Sequence, residues 1–323
     1  MLSVIMSVLT NIKYQYNSRI LKDFISTNNY TEFFDHLEKI KSNPILYLKL
    51  LLNFGNSAIL NNSNDIFKSK IIWLSSFMQE DISYISDFLN FYNKNIEPNS
   101  NDVFQYEEKL ISIVNNISSI ENLNFSDFVN SSYVYQYLIL HENTEKIKFL
   151  KNQLPFFSTR NNLNFSKNTL TNSYIYIIEN PYTVYQKIKN SFKGDKSLAQ
   201  NVFLNLDNQS SYVKIDNVNV EINKQGWHTH TSSWIDPNVT NTLNGKIVLK
   251  KDLILNTFEV LSSVILHFVQ AGANIKMDYN LIKSFIDQNP PDTGLVEVDI
   301  SQKEKKFLEK YVNNFLNKFN FDG

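Results

Sequence analysis

The sequence predicts an α/β fold in which helices flank a parallel β-sheet. Three short apolar runs with β-branched or aromatic residues support this prediction, and each is followed by apolar residues at helical spacing. The runs are Ile71–Ser76, Tyr174–Ile178 and Ile247–Leu249. Strands that alternate with helices are typical of a parallel sheet covered on both faces. We therefore expect these three strands to be neighbours in one sheet.

The segment after the third strand predicts a long amphipathic helix. Asp252 follows the strand and is placed to cap this helix, because a carboxylate there accepts hydrogen bonds from first-turn N–H groups. Apolar residues then recur at helical spacing from Phe258 to Phe268, and Gly272 is expected to end the helix.

The N-terminal residues 1–66 predict a helical extension. A second helix within it opens after Pro44 and closes near Gly55, and the polar residues 61–64 indicate a boundary. Residues 67–323 then form the α/β domain. The extension either packs on that domain or provides a surface for a partner.

Further helices are predicted over Ile82–Tyr92, Val184–Phe192 and Ser301–Phe319. Two β-like runs, Val202–Leu206 and Tyr212–Ile222, predict an inserted hairpin.

Composition excludes several classes of protein. The 323 residues are 42% hydrophobic, so a sizeable core is expected, and the net charge of −1 argues against nucleic-acid binding. The absence of cysteine excludes disulfides and thiolate metal sites. No apolar run is long enough to span a membrane. We expect a cytoplasmic protein whose partner is an unknown protein or small molecule.

Several segments resemble the sulfotransferase family, and they occur in that family's order over residues 70–323. They include the strand and turn from Ile71, the Asn180-Pro181 pair after the second strand, and the Trp227-to-Trp234 segment before the third. The resemblance implies a sulfotransferase-like parallel sheet. It also implies 3′-phosphoadenosine 5′-phosphosulfate as the sulfate donor.

The donor loop departs from the family pattern. The resemblance places Met78, Gln79, Glu80 and Asp81 where the family has Pro-Lys-Ser-Gly, and Ser83 where it has Thr. A phosphate cradle needs inward backbone N–H groups, which glycine permits, and a cation. Here the carboxylates of Glu80 and Asp81 stand at the expected phosphate position. They would repel a phosphate there by several kcal/mol, because like charges repel strongly in a partly buried site.

The positions of the family's catalytic base and 3′-phosphate contacts also differ from the family pattern. The segment at Lys151 resembles the family's Lys-Thr-His, with Gln153 in place of the catalytic base, and an amide cannot take the proton. The family's 3′-phosphate contacts correspond to Glu179 and Lys187, so one charge is inverted and a cation lies on another element. Gly294 matches a glycine of the family's last donor loop.

His228 and His230 would face one side if they lay on a strand, and would then suit a metal with His267 or Asp236 as a third ligand. On a helix or loop they would be packing residues instead. We favour packing, and we predict no bound metal.

The sequence leaves two main hypotheses for function. The first is a sulfotransferase-like pseudoenzyme without cofactor, a scaffold or binding protein with degenerate donor and catalytic motifs. The second is an active sulfotransferase with a non-standard donor site, built from Lys151, Lys187 or His228, acting on a hydroxyl of a carbohydrate or other small molecule. A histidine-based metalloenzyme is a third class.

Overall fold

A computed structural model describes residues 2–61, 71–96, 103–106, 132–142, 147–156, 166–205, 211–215, 218–222, 225–292 and 298–321. The chain divides into two compact units. The first comprises Met1–Lys68 and Glu107–Thr144, and the second comprises Ser69–Tyr106 and Glu145–Gly323.

The described helices and strands are numbered in chain order. The helices are α1 (Leu2–Ser26), α2 (Tyr30–Ile40), α3 (Pro44–Leu50), α4 (Asn56–Asn61), α5 (Gln79–Ile96), α6 (Ser132–Glu142), α7 (Pro181–Ser191), α8 (Lys196–Leu204), α9 (Trp227–Ile235), α10 (Pro237–Thr242), α11 (Lys250–Leu255), α12 (Thr257–Gln270), α13 (Tyr279–Gln288) and α14 (Gln302–Phe319). A π-helical turn, Leu51–Gly55, joins α3 to α4. The strands are β1 (Ile71–Ser76), β2 (Phe104–Gln105), β3 (Lys148–Asn152), β4 (Thr171–Ile178), β5 (Ser211–Ile215), β6 (Val218–Ile222) and β7 (Gly245–Leu249).

Residues 2–61 of the first unit are helical over nearly all of their length, as predicted for residues 1–66. Helix α6 also belongs to this unit, although the predicted division placed it in the α/β domain. The side chain of Asn43 caps α3 by accepting a hydrogen bond of 3.2 Å from the backbone N of Leu46, and Pro44 occupies the first turn. Gly55 is packed so closely that an added Cβ would lie 2.8 Å from Leu51 and 3.1 Å from Val134. Glycine at this position therefore lets the π-helical turn pack against α6.

The second unit is built on a five-stranded sheet of order β2-β3-β1-β4-β7, in which every pair is parallel. The three strands predicted from sequence are the neighbours β1, β4 and β7, which confirms the predicted arrangement. All six residues of β1 and all eight of β4 are buried. Continuous burial is expected of strands that are covered on both faces.

Different cores form on the two faces of the sheet. Leu74, Ile175 and Val248 belong to an apolar core that also includes residues of α5, α12 and α13. On the opposite face Tyr174 packs edge-on against Trp234 of α9, with ring centroids 5.1 Å apart. The chain therefore forms an α/β fold with helices on both sides of the sheet.

The predicted hairpin is correct only in its second half. The antiparallel pair β5 and β6 lies within Tyr212–Ile222 apart from one residue, but Val202–Leu204 belongs to helix α8. Asp195 caps this helix by accepting hydrogen bonds from the backbone N of Ser197 and of Leu198. Local capping and the burial of residues four apart outweigh the β-like composition of this run.

The predicted cap at Asp252 is wrong. Strand β7 runs directly into α11, so Asp252 lies inside that short helix, and Asn256 separates α11 from α12. The predicted end at Gly272 is correct, since Gly272 has a φ of +82° and its N–H bonds to the carbonyl of Val269. The terminal helix also agrees with prediction, because Ser301 and Glu304 form a capping box at its start.

No described helix is both long and apolar enough to cross a membrane.

Candidate functional site

A cleft of about 530 Å³ opens in the second unit beyond the carboxyl ends of three adjacent strands. Strands β2 and β3 lie on one side of β1, whereas β4 and β7 lie on the other side. The order of strands therefore reverses between β1 and β4. Open parallel sheets commonly bind ligands in the crevice at such a reversal.

Local structure brings one charged side chain to the cleft from the end of each strand. Asp81 lies in the first turn of α5 after β1, Glu179 follows β4 directly, and Lys250 follows β7 directly. Lys187 reaches the same place from the second turn of α7. Because parallel strands end at one edge of the sheet, these residues meet although they are far apart in sequence.

The start of α7 fixes Glu179. The side-chain oxygen of Asn180 accepts a hydrogen bond of 2.9 Å from the backbone N of Tyr182, and Pro181 occupies the first turn. The backbone N of Asn180 also donates to Oε1 of Glu179 at 2.9 Å. The Asn-Pro pair therefore positions the carboxylate at the end of β4.

Asp81 is the centre of an ion cluster. Its Oδ1 lies 2.5 Å from Nζ of Lys250 and 3.2 Å from Nζ of Lys187, and only 2% of its side chain is exposed. Glu179 Oε2 lies 3.2 Å from Nζ of Lys250 and 3.8 Å from that of Lys187. Two acids and two lysines therefore neutralise each other at the inner end of the cleft.

Glu80 extends the cluster outward. Its Oε1 lies 3.0 Å from Nζ of Lys187, and 56% of its side chain is exposed. An ion pair this exposed contributes little to stability.

The charge of Lys250 is strongly favoured. Burial alone would lower its pKa, but the carboxylates of Asp81 and Glu179 outweigh burial and raise the pKa of Lys250 above the ordinary value of 10.5. The ammonium is therefore charged throughout the physiological range and serves as the counter-ion of both acids.

Most predicted donor-site residues line this cleft. Glu80, Asp81, Ser83, Glu179 and Lys187 are all brought together there. Gln79 begins α5 after Met78, whose carbonyl accepts a hydrogen bond from the side chain of Ser76. Gly294 lies outside the described residues.

One detail of the predicted donor loop is wrong. Helix α5 begins at Gln79 instead of near Ile82, so residues 79–81 form a helical turn and not a loop. Acids in a first turn are stabilised by the helix dipole, and no glycine interrupts the turn. The prediction that Glu80, Asp81 and Glu179 would repel a phosphate did not include the lysines, of which Lys187 pairs with all three acids and Lys250 with Asp81 and Glu179.

The predicted catalytic positions lie elsewhere. Lys151 is on β3, where it pairs in register with Leu74, and Gln153 follows that strand. Neither residue lines the cleft. The backbone carbonyl of Gln153 instead accepts a hydrogen bond of 3.0 Å from Nε2 of His230.

Sequence reasoning missed the role of Lys250. The available signal was its position directly after a predicted parallel strand, since such positions converge at one edge of the sheet.

The histidine pair lies on helix α9, so the strand interpretation is wrong. His230 is buried with 1% exposure, whereas His228 is exposed. Nε2 of His230 donates to a carbonyl, so in the neutral ring Nδ1 accepts the hydrogen bond of 2.9 Å from the hydroxyl of Tyr176. Both ring nitrogens are satisfied, and His230 is therefore a packing residue.

Among the residues that the structure describes, no three His, Asp or Glu side chains form a group that could hold a metal ion.

Comparison with known protein families finds none that matches this chain, and no curated protein matches it either. The sulfotransferase resemblance therefore remains a hypothesis based on the motifs.

Proposed function

We propose that the chain is a sulfotransferase-like protein that has lost donor binding and catalysis and acts as a binding protein. The observation that supports this proposal best is the position of Asp81. This nearly inaccessible carboxylate contacts Lys187 and Lys250, at the place where the resemblance expects the donor phosphosulfate.

The charge balance opposes an anionic donor. The lysine ammonium groups are within 3.2 Å of Asp81, so a phosphate would meet cations that are already neutralised. A phosphate charge about 4 Å from the Asp81 carboxylate would be repelled by about 4 kcal/mol at an effective dielectric of 20. A micromolar ligand gains about 8 kcal/mol in total, so the lysine attraction that Asp81 offsets is about half of that affinity.

Asp81 is also held in place. It lies in the first helical turn, where its backbone N donates a hydrogen bond of 3.1 Å to the carbonyl of Met78. Moving the carboxylate away would leave two partly buried lysines with less compensation, and unpaired buried charges are costly.

The proposed loss of catalysis is supported by the family's base position. Gln153 carries an amide, which is not a base near neutral pH, and neither it nor Lys151 lines the cleft.

The test is titration calorimetry with 3′-phosphoadenosine 5′-phosphate. We expect no measurable binding by the unmodified protein at millimolar concentration. We expect a gain of binding in Asp81→Asn, because this change frees cationic charge in the cleft, and a further gain when Glu179→Arg is added. Asp287→Asn is the matched control, since it removes the same charge from an exposed position of α13 that does not line the cleft.

The second candidate is an active sulfotransferase with a non-standard donor site. The presence of Lys187 and Lys250 in one cleft favours it, because both could contact a sulfate if their carboxylates were displaced. Micromolar binding of the nucleotide by the unmodified protein would favour this candidate and overturn the first.

A further inference from the structure

The outer wall of the cleft carries carboxylates that are only weakly compensated. Glu80 and Asp87 are both on α5 and both line the cleft, seven residues or about 10.5 Å apart along the helix. Asp87 is exposed and makes no hydrogen bond or ion pair within the described part of the chain. The exposed carboxylate of Glu80 forms an ion pair with Lys187 alone among the described residues.

The lysines offset this outer charge only in part, because the Nζ of Lys187 that lies 3.0 Å from Glu80 is shared with Asp81 at 3.2 Å. Lys187 and Lys250 are engaged by Asp81 and Glu179 at the inner end. Nζ of Lys251 lies 3.2 Å and 2.8 Å from the carbonyl oxygens of Phe319 and Asn320 at the end of α14, so its donors are directed to that helix end.

The cleft as a whole is therefore acidic. Five carboxylates line it, from Glu80, Asp81, Asp87, Glu179 and Asp292, against the three lysines Lys187, Lys250 and Lys251. The difference is a formal charge of −2, obtained as three minus five from one set of lining residues. A cation gains favourable energy on entering such a cleft, whereas an anion is repelled.

Apolar surface lies between the charged groups. Tyr84, Leu253 and Ile254 line the same cleft, and its volume of about 530 Å³ is within the range of small-molecule sites. The hydroxyl of Tyr84 donates to the carbonyl of Asn289 at 2.9 Å, which fixes the ring beside Glu80 and Asp87 on α5. Hydrocarbon groups of a ligand could pack against these side chains while charged groups reach the carboxylates.

We propose that the cleft binds a small organic cation, an aliphatic chain that carries two or more primary or secondary ammonium groups. One ammonium pairs with Glu80 and another with Asp87, and the methylene groups between them contact Tyr84 and the side chains of α11. This inference rests on the proposed function, because it requires that the cleft does not hold an anionic donor.

The experiment uses the full chain and spermidine as the probe, measured by titration calorimetry. We expect saturable binding of spermidine, no binding of a neutral aliphatic diol of equal length, and weaker binding as salt increases. Asp87→Asn should weaken binding about three- to tenfold, since the loss of one ion pair at the rim costs roughly 1 kcal/mol. Asp287→Asn should leave the affinity unchanged.

Two results would overturn the inference. One is the absence of saturable spermidine binding, and the other is equal weakening by Asp87→Asn and Asp287→Asn, which would indicate attraction by general surface charge. Binding of 3′-phosphoadenosine 5′-phosphate in a parallel titration would instead contradict the proposed function. The two failures are therefore distinguishable.

Discussion

Glu304 and Asp81 are both nearly buried carboxylates of the second unit, and each contacts two lysines, but their surroundings differ. Glu304 contacts Lys189 at 3.4 Å and Lys196 at 3.2 Å. It also accepts hydrogen bonds from the hydroxyl of Tyr185 and from both the backbone and the side chain of Ser301. Both of its oxygens are therefore engaged several times, and it joins α7, α8 and α14.

Asp81 has fewer contacts and a different position. Its contacts with Lys187 and Lys250 are made through one oxygen, and all three residues line the cleft. The comparison shows that pairing with lysines does not by itself distinguish a structural cluster from a candidate site. The distinguishing features are the number of hydrogen bonds that each acid accepts and whether its cluster lines a cleft.

The largest expected effect is on the Glu304 cluster. Glu304→Ala should lower the free energy of unfolding by about 3–5 kcal/mol, because it leaves the buried hydroxyl of Tyr185 and the largely buried ammonium of Lys189 without this carboxylate. Urea unfolding measures this loss. Glu309→Ala is the control on the same helix, where an exposed acid accepts one hydrogen bond of 3.4 Å from Tyr182, and it should cost less than about 1 kcal/mol. Similar losses in the two variants would contradict the comparison.

A smaller loss is expected at the cleft. Lys250→Met should lower the free energy of unfolding by about 2 kcal/mol, because Lys187 remains to compensate Asp81. Urea unfolding of this variant, of Asp81→Asn and of the double variant gives the coupling between the two residues. The double variant should be more stable than the sum of the single losses predicts, by about 1–2 kcal/mol. Additive losses would show that the contact between Asp81 and Lys250 does not stabilise the fold.

Acid should weaken the Glu304 cluster in a defined pH range. Burial opposes the charge of Glu304, but hydrogen bonds from Ser301, Lys196 and Tyr185 prevail and lower its pKa from 4.5 to about 2. Because the folded pKa is the lower one, the stabilisation is fully present above pH 4.5 and is lost as the pH falls toward 2.

Unfolding measured between pH 6 and 3 at fixed ionic strength checks this expectation. Below the pKa of the unfolded carboxyl group, the free energy of unfolding of the wild type should fall by up to about 1 kcal/mol per pH unit more than that of Glu304→Gln. The difference arises because the variant has no carboxylate to titrate at this position. Identical pH profiles for the two proteins would show that the cluster does not lower the pKa of Glu304.

The elements of the second unit were largely predictable from sequence. Runs such as Ile71–Ser76 have the β-branched and apolar character of buried strands, and Ser301 with Glu304 forms a local capping signal. Local patterns failed where context decides the structure. Val202–Leu204 is β-like in composition but belongs to a helix, because Asp195 caps that helix and Phe203 is buried.

The candidate site was predictable only in part. Glu80, Asp81, Glu179 and Lys187 were identified by motif position, and the structure brings them together. Their pairing was not predictable, because the contact between Asp81 and Lys250 spans 169 residues and depends on the order of the strands. A sequence shows which charges follow which strands, whereas sheet order decides which of them meet.

The smallest expected effect on stability is at Asp87. It separates this carboxylate of the cleft from the structural carboxylate of Asp81. Asp87 is exposed and has no ion pair or hydrogen bond in the described ranges, so Asp87→Asn should change the free energy of unfolding by less than about 0.5 kcal/mol. Urea unfolding checks this, with Asp287→Asn, which is also at an exposed position, as the control. If the same Asp87→Asn protein binds spermidine more weakly, its carboxylate acts on a ligand and not on the fold. A stability loss above about 1 kcal/mol would instead place Asp87 with Asp81 and Glu304 among the structural acids.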